Sequence, residues 1–150
     1  MAIDIQLLQQ SNTGEFVISL ENGDFKTVDS FDTSISVALF GDERADSSEV
    51  PAVERRRGWW GNNFGEDAEF QLGSKLWLLN QTRRTQATLN KAITIAQKAL
   101  QWLTDDEHAK SVKVTGAFTE SGISLTITIF RSNAVTETRF FDLWNNSGVV

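Results

Sequence analysis

The chain has no cysteine and no tyrosine, and only one histidine, one proline and one methionine. Without cysteine, disulfides and thiolate metal sites are excluded. His108 alone makes a multi-histidine metal site impossible. No apolar run approaches the ~20 residues of a membrane span. The start, Met1-Ala2-Ile3-Asp4-Ile5, lacks the charged beginning and apolar centre of a signal peptide. The chain is therefore expected to be made and kept in a cytoplasm unless an assembly carries it out. Basic residues are in deficit: 14 Lys and Arg against 20 Asp and Glu give a net charge of −6. That balance argues against a general nucleic-acid binder.

Catalytic signatures are missing as well. There is no Gly-x-Ser-x-Gly nucleophile turn, and Gly58, Gly61 and Gly65 match neither dinucleotide nor Walker spacing. Asp105 and Glu107 form a carboxylate pair, but nothing around them predicts a raised pKa or a partner at fixed distance. Asp42, Glu43 and Asp46 are oxygen ligands without the calcium-loop pattern. His108 reads as a cation or donor near a helix C-terminus. No catalytic residue, cofactor or metal is predicted.

What is present is a sequence of clear periodicities. Ile3, Ile5 and Leu7, then Phe16, Ile18 and Leu20, alternate with other residues across Asn12-Thr13-Gly14 and Asn22-Gly23-Asp24 turn chemistry. Phe25 to Val28 returns as a third short strand. Asp29 or Ser30 can cap a helix whose face is Phe31, Ile35, Ala38 and Leu39, with Gly41 as its stop. Residues 42–58 read as a long surface loop around Pro51. Ser74 can cap a short helix to about Gln81. Thr85 caps the longest helix, reaching about Asp105, with a stripe of Leu89, Ala92, Ile93, Ala96, Ala99, Leu100 and Leu103. Period two follows in Val112 and Val114, in Ile123, Leu125, Ile127 and Ile129, and in Arg139, Phe141 and Leu143. The expected fold is α+β in one domain over residues 1–150. It comprises a short N-terminal β hairpin or meander, two to three helices, and a C-terminal three-stranded antiparallel sheet packed on the long helix. Residues 145–150 read as a loose tail.

The densest chemistry lies in Arg55-Arg56-Arg57-Gly58-Trp59-Trp60-Gly61 and the following Gly73-Ser74-Lys75-Leu76-Trp77-Leu78-Leu79, which together hold three of the five tryptophans. Each tryptophan has roughly 150–250 Å² that prefers burial. The expectation is that Trp59, Trp60 and Trp77 fix the loop to the helices, that Gly58 and Gly61 allow its turns, and that Arg55, Arg56 and Arg57 project. Three readings fit such a cluster: base stacking and phosphate contact, a surface arginine patch beside core tryptophans, and a protein interface. Arg55, Arg56, Arg57, Trp59 and Trp60 are the interface candidates, with Trp77, Gly58 and Gly61 structural. The edges of the C-terminal sheet could also accept a strand from another chain.

Five runs in order carry a resemblance: Ser30-Phe31-Asp32-Thr33-Ser34-Ile35, Leu39-Phe40-Gly41-Asp42-Glu43-Arg44-Ala45, Arg56-Arg57-Gly58-Trp59-Trp60-Gly61, Gly73-Ser74-Lys75-Leu76-Trp77-Leu78-Leu79 and Phe141-Asp142-Leu143-Trp144. Together they resemble the small baseplate protein of Mu-like contractile-tailed phages and prophages, from about Ile3 to Trp144. More distantly this family is similar to the baseplate wedge proteins that start sheath assembly. The resemblance implies a compact α+β fold and a non-enzymatic role in the virion tail baseplate, assembled in the bacterial host cytoplasm. It implies other baseplate and tail proteins as partners, sheath subunits among the candidates, in several copies per tail, with no nucleic acid and no membrane. The wedge relatives carry a Pro-Arg loop before a glycine. The matching region here is Arg55 to Gly58, with no adjacent proline. A tail-associated cell-wall hydrolase and a nucleic-acid-binding regulator are the rival classes. The hydrolase would need two carboxylates across a cleft at ~5–9 Å.

Overall fold

The C-terminal sheet shows most directly how alternation becomes structure. In this computed structural model, which describes residues 4–10, 15–28, 31–63, 72–80, 82–120 and 122–143, three eight-residue strands form an antiparallel meander. They are β7 (Ser111–Phe118), β8 (Ile123–Phe130) and β9 (Thr136–Leu143). Side chains alternate across a strand, so Ile123, Leu125, Ile127 and Ile129 of β8 all point inward and are buried. The register aligns Leu125 with Gly116 and Phe141, and Ile127 with Val114 and Arg139. The opposite face, with Thr126, Thr128 and Phe140, is left uncovered by the helices.

The inner face is covered by the long helix. It is α2, Gln86–Ala99, and the Thr85 hydroxyl accepts from the Thr88 N–H at 3.2 Å as its N-cap. Leu89, Ala92 and Ala96 are buried against the sheet. At Gly116 a Cβ would come within 2.8 Å of Leu89 Cδ1, so the missing side chain lets the helix settle onto β7. The helix does not run to Asp105 as one piece. It ends at Ala99, Leu100 leaves helical geometry (φ −101°, ψ 5°), and α3 (Trp102–Asp105) follows. The break lets Leu100 and Leu103 both reach full burial.

The remaining elements wrap this pair. Helix α1 (Asp32–Phe40) buries Ile35, Ala38 and Leu39. Its N-cap position is Phe31, with no side-chain cap bond, and Asp29 and Ser30 lie outside the described residues. Gly41 ends the helix, though not in a left-handed turn: its backbone is extended (ψ 144°), and a Cβ would meet the Val37 carbonyl oxygen at 2.6 Å. The Ser74-capped segment is a five-residue 3-10 helix, Lys75–Leu79. The inward Arg139 of β9 pairs with Asp32 and with Glu137, joining the sheet to the start of α1.

The N-terminal region forms three short ladders rather than one meander: β1 (Asp4–Ile5) with β6 (Thr27–Val28), β2 (Leu7–Gln9) with β3 (Phe16–Ile18), and β4 (Leu20–Glu21) with β5 (Asp24–Phe25). They meet where Gln6, Ser19 and Lys26 exchange backbone hydrogen bonds. Phe16 packs on Phe40, which packs on Phe141. Among the described residues, no helix is long and apolar enough to cross a membrane. The Asn12–Gly14 turn, Phe64, Gly65, Trp144 and the 145–150 tail also lie outside the described residues.

Candidate protein-interaction site

Residues 42–63 form an ordered loop tied down at several points. At its base, Gly41 and Gly73 cross closely: a Cβ on Gly73 would come within 2.5 Å of the Gly41 carbonyl oxygen. Gly73 has φ +98°, which costs glycine little. The crossing lets Ser74 N–H reach the Gly41 oxygen (2.8 Å) and Glu43 N–H reach the Ser74 oxygen (3.0 Å). Buried Ser74 Oγ donates to the Leu39 carbonyl and accepts from Leu76 N–H. Above this base the loop closes at a neck. Ala45 N–H donates to the Arg56 oxygen at 2.9 Å, and Arg56 Nε donates back to the Ala45 oxygen at 2.6 Å. Ala45 is fully buried there.

The part of the loop that the neck closes off, between Ala45 and Arg56, is held by charge. Lys75 Nζ lies 2.9 Å from Glu49 and 3.2 Å from Asp46. The hydrogen bond from Lys75, followed by the Asp46 backbone N–H, holds the Glu49 carboxyl below its ordinary value. The same bond to Glu49 raises Lys75. A general acid would need the opposite shift on Glu49.

Beyond the neck the chain reverses through two left-handed residues, Arg57 (φ 53°) and Gly58 (φ 101°). A Cβ at Gly58 would lie 2.7 Å from Arg44 Cβ, so only glycine fits. The Arg57 guanidinium pairs with Asp42 at 3.1 Å and sits 4.6 Å from the Trp77 ring centre, an arrangement that combines an ion pair with a cation–π contact. Trp77 Nε1 in turn donates to the Glu43 oxygen at 2.8 Å. Arg44 donates to the Arg57 carbonyl at 3.4 Å.

The side chains of this run are placed differently from a pattern of projecting arginines and buried tryptophans at Arg56, Trp59 and Trp60. Arg56 is half-buried with its Nε on the Ala45 carbonyl, Arg57 is exposed while pairing with Asp42 over Trp77, and Trp59 and Trp60 face solvent, 48% and 71% exposed. Trp77 is half-buried, with Nε1 on the Glu43 carbonyl and the Arg57 guanidinium over its ring. Arg55 is exposed. The reason is the double reversal at Arg57 and Gly58, which turns the chain outward before the tryptophans. Their rings lie 5.6 Å apart at 49°. Gly61 has no Cβ because one would enter the Trp59 ring, within 2.2 Å of Cη2, so Trp59 folds back over its own turn. A shallow cavity of about 220 Å³ beside the rings is lined by Arg44, Arg57, Gly58, Trp59, Trp60, Asn62 and Asn63. Ala45 and Lys75 are supporting residues to which the sequence assigned no site role, and Asp42 was weighed there only as an oxygen ligand. A buried alanine in an acidic loop carries no periodic signal.

The arrangement presents two exposed indoles on a pinned loop, with Arg44 and Arg57 lining the cavity beside them. Comparison with known proteins agrees on kinship. The family model described as "Phage protein GP46" matches residues 31–136. The "Mu-like prophage FluMu protein gp46" of Haemophilus influenzae (strain ATCC 51907 / DSM 11121 / KW20 / Rd) is 35% identical over 139 residues, covering 92% of this chain and 94% of the relative. "Baseplate protein gp46" of Escherichia phage Mu is 34% identical over 113 residues, covering 74% of each chain. The chain belongs to the phage protein GP46 family.

Proposed function

We propose that this protein is a structural subunit of a phage or prophage tail baseplate, acting through protein–protein contacts and not through catalysis. The kinship with a relative named as a baseplate protein supports the setting. The observation that carries the mode of action is the Trp59–Trp60 pair, exposed on a loop pinned from beneath. Indole rings held in place lose little conformational freedom on docking, and Trp and Arg dominate binding hot spots. In this reading Trp59, Trp60 and Arg55 meet the neighbour directly. Arg56, Arg57, Gly58, Gly61 and Trp77 keep them in position.

The partners are other baseplate and tail proteins, sheath subunits among them, with several copies per tail assembled in the host cytoplasm. The outer edge of β9 supports a second contact by strand addition. Backbone groups alternate in direction along an antiparallel strand, so Thr136, Thr138 and Phe140 present theirs away from β8, beside the 71% exposed Phe140 ring. The net charge of −6 opposes the nucleic-acid reading.

The test is complementation of a phage or prophage lacking this gene. Trp59→Ala with Trp60→Ala should melt at the wild-type temperature and yield at least about tenfold fewer complete tails, the loss that one hot spot can account for. Normal tails from the folded variant would remove the loop from the interface. Absence of the wild-type chain from purified tails would remove the baseplate reading itself.

A further inference from the structure

The N-terminal ribbon carries more exposed apolar surface than its own fold uses. Leu20 and Phe25 face each other across the β4–β5 ladder and are 69% and 52% exposed. Leu8 and Val17 pair on one face of β2–β3 and Ile18 pairs with Leu7 on the other, the face that Leu20 and Phe25 continue; Leu8, Val17 and Ile18 are all exposed. An isolated two-stranded ladder is marginal in water. Here the ladders are held by the Gln6–Ser19–Lys26 junction, by Phe16 on Phe40, and by Thr33 donating to the Ile5 carbonyl. The Asn22-Gly23 turn, with φ 53° and 82°, makes a tight two-residue hairpin that presents Leu20 and Phe25 at its base. The apolar residues are therefore displayed on an ordered scaffold, which is how docking surfaces differ from scattered surface leucines.

The charge around them is one-sided. Asp4, Glu15, Glu21 and Asp24 belong to the ribbon, against Lys26 alone, which is half-buried. Two of these carboxylates bind backbone N–H groups of the ribbon itself, Asp4 to Ile5 at 2.8 Å and Asp24 to Phe25 at 2.7 Å. These bonds hold both side chains in place at the rim of the patch.

We propose that the ribbon of residues 4–28 is a docking face for another tail protein whose surface is apolar at its centre and lysine- and arginine-rimmed. The apolar centre is met by Ile18, Leu20 and Phe25, and the rim by Glu15, Glu21 and Asp24. An anionic lipid surface or a nucleic acid would be repelled by the same carboxylates. This face is separate in sequence from the tryptophan loop, and the proposal rests on the baseplate reading for where the partner is found.

Hydrogen exchange of the chain alone and within purified wild-type tails tests it, together with carbodiimide cross-linking of those tails, which joins carboxylates to lysine amines. The expected result is exchange slowed at least about tenfold over residues 16–25 in tails, and cross-links from Glu15, Glu21 or Asp24 to lysines of a different tail protein. Leu20→Ser with Phe25→Ser should remain folded and enter tails at least about tenfold less. Unchanged exchange over 16–25 overturns the proposal, as do cross-links running only to a second copy of this chain or full incorporation of the folded double variant. If that variant does not fold, the wild-type exchange and cross-links decide. A chain missing from wild-type tails would sink the baseplate reading, a different failure from a ribbon left unprotected within them.

Discussion

Arg56 and Trp60 stand four residues apart and do opposite things. Arg56 closes the loop neck, giving Nε to the Ala45 carbonyl while its own carbonyl takes the Ala45 N–H. Trp60 contributes an exposed ring. Arg56→Ala should therefore cost about 1.5–3 kcal/mol, the range for a hydrogen bond to a charged group with its acceptor left unsatisfied. A denaturant midpoint within error of wild type would refute that role. The run Arg55 to Gly61 stood out in the sequence as an interface candidate, but the orientation of its side chains did not. Composition says that tryptophan prefers burial and arginine prefers water. It does not say that two successive left-handed residues, Arg57 and Gly58, turn the chain between them. The glycine was the available signal, since it marks a reversal that a side chain would block. Arg57 in the same conformation gave none.

At the scale of elements, strong periodicity was readable and bent backbone was not. The Ile and Thr alternation of β8 placed every buried residue of that strand, and Thr85 was readable as a cap because its hydroxyl precedes a helical stripe. The break after Ala99 was hidden, because Leu100 and Leu103 continue the stripe at helical spacing while the backbone turns. The order of the loop was not readable, since the Lys75 tether reaches back from 29 positions away in sequence to Asp46. That tether has a defined pH window. Glu49 is lowered in the folded state, so its contribution is present above its ordinary value of 4.5 and is lost as pH falls through the lower folded-state value. Lys75 is raised, so its contribution holds below 10.5 and is lost as pH rises through the higher folded value. Both partners are partly exposed, which keeps the effect on global stability below about 1 kcal/mol. Lys75→Met should accelerate amide exchange of residues 46–49 at pH 7, and the difference from wild type should vanish well below pH 4.5. A difference that persists there would show that the ion pair does not hold the loop.

For the molecule as a whole, the open question of a three-stranded sheet is its two edges, which invite pairing with any other chain. The structure guards both with a glutamine side chain that imitates a peptide unit. On β7, Gln97 from α2 donates to the Val112 oxygen at 2.8 Å and accepts from Val114 N–H at 3.1 Å. On β9, Gln9 from the N-terminal ribbon does the same to the oxygen and N–H of Asp142, both at 3.0 Å. No sequence pattern announces this, because the partners are 15 to 133 residues apart. The two guards differ in reach. Gln97 sits on the helix that already packs under β7, whereas Gln9 covers only the end of β9 and leaves Thr136 to Phe140 presented outward. Replacing both glutamines with alanine exposes further backbone donors and acceptors without removing an apolar core residue. Gln9→Ala with Gln97→Ala should therefore keep the wild-type circular dichroism spectrum, yet sediment as larger species as concentration rises into the range of tens of micromolar, where wild type stays unchanged. Gln9→Ala alone should show most of this, since it lengthens the edge that is already partly open. Identical sedimentation of wild type and double variant would mean that twist and charge, and not the glutamines, keep these edges from pairing.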